Sequence, residues 1–257
     1  MAKQSGLGDH LYVAGYDLSG DIAALNSISG STATLDKTGI DKSAHVRIGG
    51  QRTGNIDAVT HFNDATVAGG DTDQEHLVFS ALPTTDVHLM YCRGTTQGKR
   101  AACLIAKQLN YDGTRGTDGD LTLAVSSQAN GYGLEWGWLL TAAARTDTGA
   151  TNGTGIGGLW AQTDFGLQAY LQVVSFTGTD ATITIEESSD NGAADAWAAV
   201  TGGAFTQVTA ARTTERIATA NDQTIEQYLR VATSTTGGFT EMTFVVMVNR
   251  NLTATTF

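Results

Sequence analysis

The sequence predicts a mainly β protein, and three observations carry that expectation. Thr, Val, Ile and Gly are abundant while charged residues make up only 16% of the 257, a composition suited to pleated, half-buried surfaces. One proline stands against 31 glycines, so turns are made by Gly, Asn and Asp rather than by proline's fixed φ. Wherever a pattern is visible, apolar residues recur with a period of two, as in strands with one face on a core.

In chain order, "HLYVAGYDL" puts Leu11 and Val13 on one face and His10, Tyr12 and Ala14 on the other. "AHVRIGG" turns Val46 and Ile48 inward and His45 and Arg47 outward. "NIDAVTHF" continues with Ile56, Ala58, Thr60 and Phe62 on one face against Asp57, Val59 and His61. The exception is 69–83, where Thr72 and Glu75 have capping-box spacing. Leu77, Val78, Ala81 and Leu82 then share a helical face, and Pro83 ends the run. A short amphipathic helix over 72–82 is expected, covering a face or edge of the sheet. Strands resume in "DVHLMYCRG", "AACLIAKQLNY" and "DLTLAVSSQANGYGLEWGWLL".

Residues 141–158, "TAAARTDTGATNGTGIGG", have no periodicity and read as a linker or surface crossing. Beyond them the alternation is cleaner. Leu171 and Val173, Ile183 and Ile185, Leu229 and Val231, and Phe244, Val246 and Val248 would each line one face. Several short strands with turn-rich gaps suggest a β-sandwich. The expected division is therefore a β domain with one helix over 1–150 and a C-terminal β-sandwich over 151–257.

Charge narrows the function. With 26 acidic and 15 basic residues the net charge is −11, which argues against a surface built to neutralise phosphates. An acidic wall past which DNA slides without adsorbing is compatible with it. No run of about 18 apolar residues exists, so no membrane-spanning helix is expected. The segment "MAKQSGLGDHLYV" lacks an apolar h-region and a small-residue cleavage site, which suggests synthesis in a cytoplasm. Cys92 and Cys103 would face each other across a hairpin centred on Gln97-Gly98, as reduced thiols.

Chemistry-bearing patterns are sparse. No two of the five histidines, His10, His45, His61, His76 and His88, have the i, i+4 spacing of a helical zinc site. A relay through His61 and Asp57 would join same-face but distant residues. No Gly-x-Ser-x-Gly elbow occurs. Glu186 and Glu187 are adjacent, so they point to opposite faces of a strand and cannot flank one sugar. Asp112, Asp118 and Asp120 recur near glycines but miss the spacing of a calcium loop, and Asp-Gly is equally a hairpin turn. Trp136, Trp138, Trp160 and Trp197 could stack on sugars or serve as core anchors. No catalytic residue, metal ligand or cofactor is expected, and the chain is read as a non-enzyme.

Several phrases resemble a known family. "GLGDHLYVAGYDLSGDIAAL", "LDKTGIDKSAHVRIGGQRTGNIDAVTHFN", "HLVFSALPTTDVHLMYCRGTTQGKRAACLIAKQLNYD", "ANGYGLEWG" and "FGLQAYLQVVSFTGTDATITIEESSDNGAADAWAAVTGGAF" are similar to the major tail (tail tube) proteins of long-tailed bacteriophages, especially those of actinobacteria. The resemblance covers most of the chain. It implies a tail-tube-like β-sandwich or barrel with one flanking helix, stacked as hexameric rings into a virion tail tube that conducts DNA into the host. Tape-measure and tail terminator proteins would be its further partners, with no membrane involved. The C-terminal sandwich would be an external decoration. Asp41, Arg47, Arg52 and Asp57 then become candidates for subunit contacts, where mixed charges fix registry. Asp17, Asp21, Asp57 and Asp64 become candidates for a negative lumen. Two other classes fit the same composition: a capsid decoration or head-fibre protein, and a carbohydrate-binding module on the virion surface.

Overall fold

The computed structural model describes residues 7–64, 74–142, 144–157 and 160–254. The protein is mainly β, as expected. Its strands are β1 (His10–Val13), β2 (Tyr16–Asp17), β3 (Ile22–Asp36), β4 (Arg47–His61), β5 (Val87–Cys92), β6 (Arg100–Gln108), β7 (Asp112–Arg115), β8 (Leu121–Ala129), β9 (Glu135–Leu139), β10 (Arg145–Asp147), β11 (Leu167–Gly178), β12 (Thr182–Ser188), β13 (Ala198–Ala204), β14 (Thr214–Ala218), β15 (Tyr228–Ser234) and β16 (Phe239–Arg250). One short helix, α1 (Glu75–Phe79), lies among them.

Two compact units form, and they are drawn differently from the expected boundary at residue 150. The first combines 1–19, 90–103 and 136–257; the second combines 20–89 and 104–135. Hydrogen bonding explains the discontinuity. Leu139 and Trp138 pair with Met247 and Val248, Leu140 N–H donates to the Val246 carbonyl at 2.9 Å, and Gly98 N–H donates to Leu139. Residues on the N-terminal side of the expected boundary thus complete a sheet that the C-terminal strands begin.

In the first unit β16 is central, antiparallel to β11, β10 and β9, with β14 flanking β11. A second sheet, β13-β12-β15, is three-stranded. The alternation read from the sequence holds. Leu171, Val173, Phe244, Val246 and Val248 pack with Ile183, Ile185, Leu229 and Val231 in one buried cluster. Each such side chain contributes about 1.5–3 kcal/mol of transfer free energy. The back of β11 is polar yet fully buried at Gln168 and Gln172. The Ala14-Gly15 turn covers Gln172: Gly15 N–H donates to Gln172 Oε1 at 2.7 Å, and Arg212 donates back to Gly15 O at 2.8 Å. β1 departs from simple alternation, since Leu11, Tyr12 and Val13 are all buried and the strand is therefore covered on both faces.

In the second unit β4 pairs antiparallel with β3 and β8, and β8 pairs with β7 and the end of β6. Ile56, Ala58 and Thr60 are buried as their period predicts, with Leu123 and Val125 of β8. Phe62, expected on the same face, stands at the strand end and is 37% exposed.

The helix differs from its expectation over 72–82. Thr72 of the expected capping box lies outside the described residues. The N-cap position is Gln74, extended and without a side-chain cap bond, and the helix runs five residues. Its buried members are Glu75 and Phe79, four apart and hence on one face. Leu77 lies on the opposite side and is 55% exposed; Leu82, at φ 40°, has left the helix. What decides the face is Glu75. Its carboxylate accepts from Thr60 Oγ1 at 3.2 Å, Asn63 N–H at 3.1 Å and Tyr111 OH at 3.1 Å. Burial raises its pKa against those hydrogen bonds, and Gln108 donates to the Phe79 carbonyl at 2.7 Å to close the helix end.

Candidate functional site

The second unit's most unusual element is the ribbon formed by β3 and β4, with 15 residues in each strand. Register runs from Ile22↔Thr60 to Asp36↔Arg47. Its base is buried; from Ser29 to Gly49 every residue is exposed. The boundary falls where Gly30 pairs with Gly54. Leu134, 6% exposed, lies on that pair, and a Cβ at Gly54 would stand 2.7 Å from it. Glycine is needed there for close approach. Past this point the ribbon reaches on for about 20 Å, at about 3.4 Å per residue.

The tip is ordered by its own hydrogen bonds. Asp36 accepts from Thr38 N–H at 2.9 Å, from the Thr38 hydroxyl, and from His45 Nδ1 at 2.8 Å. The Thr38 hydroxyl is the largest influence holding the Asp36 pKa below its ordinary value. Thr38 Oγ1 in turn receives Val46 N–H at 2.9 Å, and Lys37 N–H donates to Val46 O at 2.8 Å.

Val46 and Ile48, expected to face inward, are 44% and 47% exposed, and Leu35 and Ile40 are exposed with them. The alternation is present, but among the described residues no second layer buries this stretch of ribbon. A two-stranded ribbon with both faces in water is marginal alone, and apolar side chains on it mark a surface that gains from being covered. Charge also distinguishes the arm. Residues 29–52 hold Lys37, Lys42, Arg47 and Arg52 against Asp36 and Asp41, a net +2, whereas the remaining residues sum to −11 − 2 = −13.

Of the sequence-derived candidates, Asp41, Arg47 and Arg52 are on this arm. Asp41 is paired with Lys42 at 2.7 Å, Arg47 opposes Asp36 and Arg52 opposes Thr32 in the ladder. Asp57 lies near the base, half-buried, accepting from Ser126 Oγ at 2.6 Å and from Asn55. Asp21 is also half-buried and structural: both its oxygens take Asn63 Nδ2 at 3.0 Å, and one takes Glu75 N–H at 3.1 Å. Asp64 is exposed. Asp17 belongs to the first unit, where it accepts from Ser19 N–H at 3.1 Å and stands 3.5 Å from His10. Sequence reasoning singled out the charges of the arm but missed its length and its unburied apolar residues, because β3 opens on "IAALNSISG" and β4 on "RIGGQRTG", neither of which alternates apolar with polar residues.

The His61 and Asp57 relay is not assembled. His61 Nδ1 stands 3.7 Å from Asp120 while Asp57 is engaged by Ser126. Asp118 and Asp120 belong to the β7–β8 hairpin turn, where Gly116 N–H donates to Asp120 O at 2.7 Å. Among the described residues no group of three or more His, Cys, Asp or Glu is placed to hold a metal ion. Cys92 and Cys103 are buried thiols, not joined to each other, and burial pushes the Cys92 pKa up.

No protein-family model matches the chain, and no curated protein matches it. Among solved structures, a chain of the virion of a native gene transfer agent particle aligns with 52% of this chain and 98% of its own length, at 16% identity and a TM-score of 0.37. The SPP1 Dit protein, described as a paradigm of the hub adsorption apparatus in phages infecting Gram-positive bacteria, aligns with 94% of this chain and 98% of its own, at 14% identity and a TM-score of 0.33. Overlaps of this size carry no functional argument by themselves.

Proposed function

We propose that the chain is a structural, non-enzymatic subunit of a phage virion, which assembles into rings of the tail tube by laying the β3–β4 arm on a neighbouring copy. The observation that carries this reading is the arm itself, exposed from Ser29 to Gly49, with Leu35, Ile40, Val46 and Ile48 unburied. Its net positive charge in an otherwise strongly acidic chain supplies a complement on every other copy. Pairing or covering such a ribbon within a closed ring removes an aggregation template. Hexameric order, stacking into a DNA-conducting tube and an acidic lumen rest on the phrase resemblance. An acidic bore would let DNA pass, because it offers no counterion release to hold the phosphates.

Negative-stain microscopy and sedimentation of the purified chain test the reading. Rings, and tubes at high concentration, are expected. Paired substitutions of Leu35→Asp and Ile48→Asp should give a folded monomer. A strictly monomeric wild-type chain at high concentration would overturn the proposal, and separate particles binding only to preformed capsids would point to head decoration instead.

A further inference from the structure

A second feature belongs to the first unit. Trp136, Trp138, Trp160, Arg100, Asn249 and Arg250 line a cavity of about 370 Å³, near the lower bound of ligand pockets, about 300 Å³. The strands dictate this meeting. Trp136 and Trp138 are two apart on β9, and Trp138 pairs with Val248, so the antiparallel ladder carries Asn249 and Arg250 past Trp138 toward Trp136. Arg100, at the start of β6, places its Cζ 3.5 Å from the Trp138 ring centroid. Trp160 lies 5.6 Å from Trp138 at an interplanar angle of 54°, with the Arg250 Cζ 5.5 Å from its own centroid.

Two cations and no anion make this pocket unusual in so acidic a chain. Among the described residues no carboxylate forms an ion pair with Arg100 or Arg250. Arg250 is 7% exposed; its Nη2 donates to the carbonyls of Ile225 and Glu226, each at 2.8 Å, and its buried Nε has no acceptor. Desolvation lowers its pKa to about 10, which still leaves it charged at neutral pH. Its direct hydrogen bonds go to neutral carbonyls alone, and the Glu187 carboxylate only partly offsets its desolvation from a distance, so this guanidinium still gains when an anion arrives in the pocket.

We propose that this pocket binds an acidic saccharide, a pyranose bearing a carboxylate or a phosphate. Trp136, 44% exposed, offers an aromatic face for the sugar's C–H surface. The Arg100 and Arg250 side takes the anion. Asn249 donates its Nδ2 to Gln168 Oε1 at 3.1 Å, which leaves its Oδ1 to accept a sugar hydroxyl. A flat nucleobase fits less well: Arg100 already covers one face of Trp138 and Trp160 is tilted against it, so no parallel slot exists.

Tryptophan fluorescence of the full chain, titrated with D-glucuronic acid, glucose 6-phosphate and glucose, tests this. Saturable quenching by one or both acidic sugars at about 1–10 mM is expected, with glucose at least about tenfold weaker. The two acidic probes separate a uronate from a phosphosugar. Arg100→Gln and Trp136→Ala, both at exposed positions, should each weaken binding about tenfold or more without changing thermal unfolding. Trp197→Phe, whose indole instead packs with Arg230, should leave the quenching intact. Equal binding of glucose, unchanged binding in both pocket variants, or no quenching at all would overturn the proposal. So would inorganic phosphate binding as tightly as the phosphosugar, which would leave a bare anion pocket, or displacement only by an acidic peptide, which would make the occupant protein.

Discussion

Leu134 rests against Gly54 so closely that a Cβ at Gly54 would meet both its Cβ and its backbone nitrogen at 2.7 Å. That contact marks where the arm leaves the body of the second unit. Gly54→Ala should therefore shift Leu134 or the ribbon and cost about 1–3 kcal/mol, read by chemical denaturation. Gly30→Ala, across the ladder and 3.2 Å from the same side chain, should cost less. Equal costs would mean that the ribbon, and not Leu134, yields.

Truncation after Ala150 should destroy the first unit. It removes β11 and β16, leaving Leu139 and Leu140 without the partners Met247 and Val246, and removes Gln172 from Gly15. Loss of cooperative unfolding in circular dichroism, with exposed apolar surface binding dye, is expected. A truncated chain that melts cooperatively would restore the division at residue 150.

Much of the fold was legible in the sequence because strands write their buried face at every second residue. The sandwich core of Leu171, Ile183, Leu229 and Phe244 follows from that rule alone. The rule fails where a second layer is missing or doubled. Val46 and Ile48 alternate as core residues do, yet among the described residues nothing covers them, while Tyr12 is buried on the face opposite Leu11 and Val13. The helix face failed for another reason. Leu77 and Leu82 satisfy helical spacing, but a hydrogen-bond network centred on Glu75 turned the segment the other way. The tryptophan pocket was legible only as composition, since strand pairing and not spacing brings Trp160 to Trp138.

Glu75 should make stability depend on pH. Its folded pKa is raised, chiefly by desolvation. Protons are therefore bound more tightly by the folded state, and the group's stabilising contribution is full below its unfolded value near 4.5 and is lost as pH rises through the folded value. Glu75→Gln should remove this dependence between about pH 4 and 7, most visibly as a smaller gap between urea midpoints measured at those two values. An unchanged gap would assign it to other carboxyls.

The arm's charge gives the last prediction. Lys37, one residue past the end of β3, and Arg47, the first residue of β4, lie near its tip, both exposed. Replacing each by Glu changes the net charge of residues 29–52 from +2 to +2 − 4 = −2, so attraction to an acidic neighbour becomes repulsion. Folding of the subunit should be unaffected, since exposed pairs contribute only about 0–1 kcal/mol. Assembly should weaken by an order of magnitude or more, because one such arm recurs at every interface of a ring. Wild-type assembly should also weaken as salt shortens the screening length from about 10 Å at 0.1 M to about 3 Å at 1 M, while the reversed variant should assemble better in high salt than in low. Sedimentation velocity across that range reads both. Salt-independent assembly of the two proteins alike would show that Leu35, Ile40, Val46 and Ile48 hold the interface without electrostatic help.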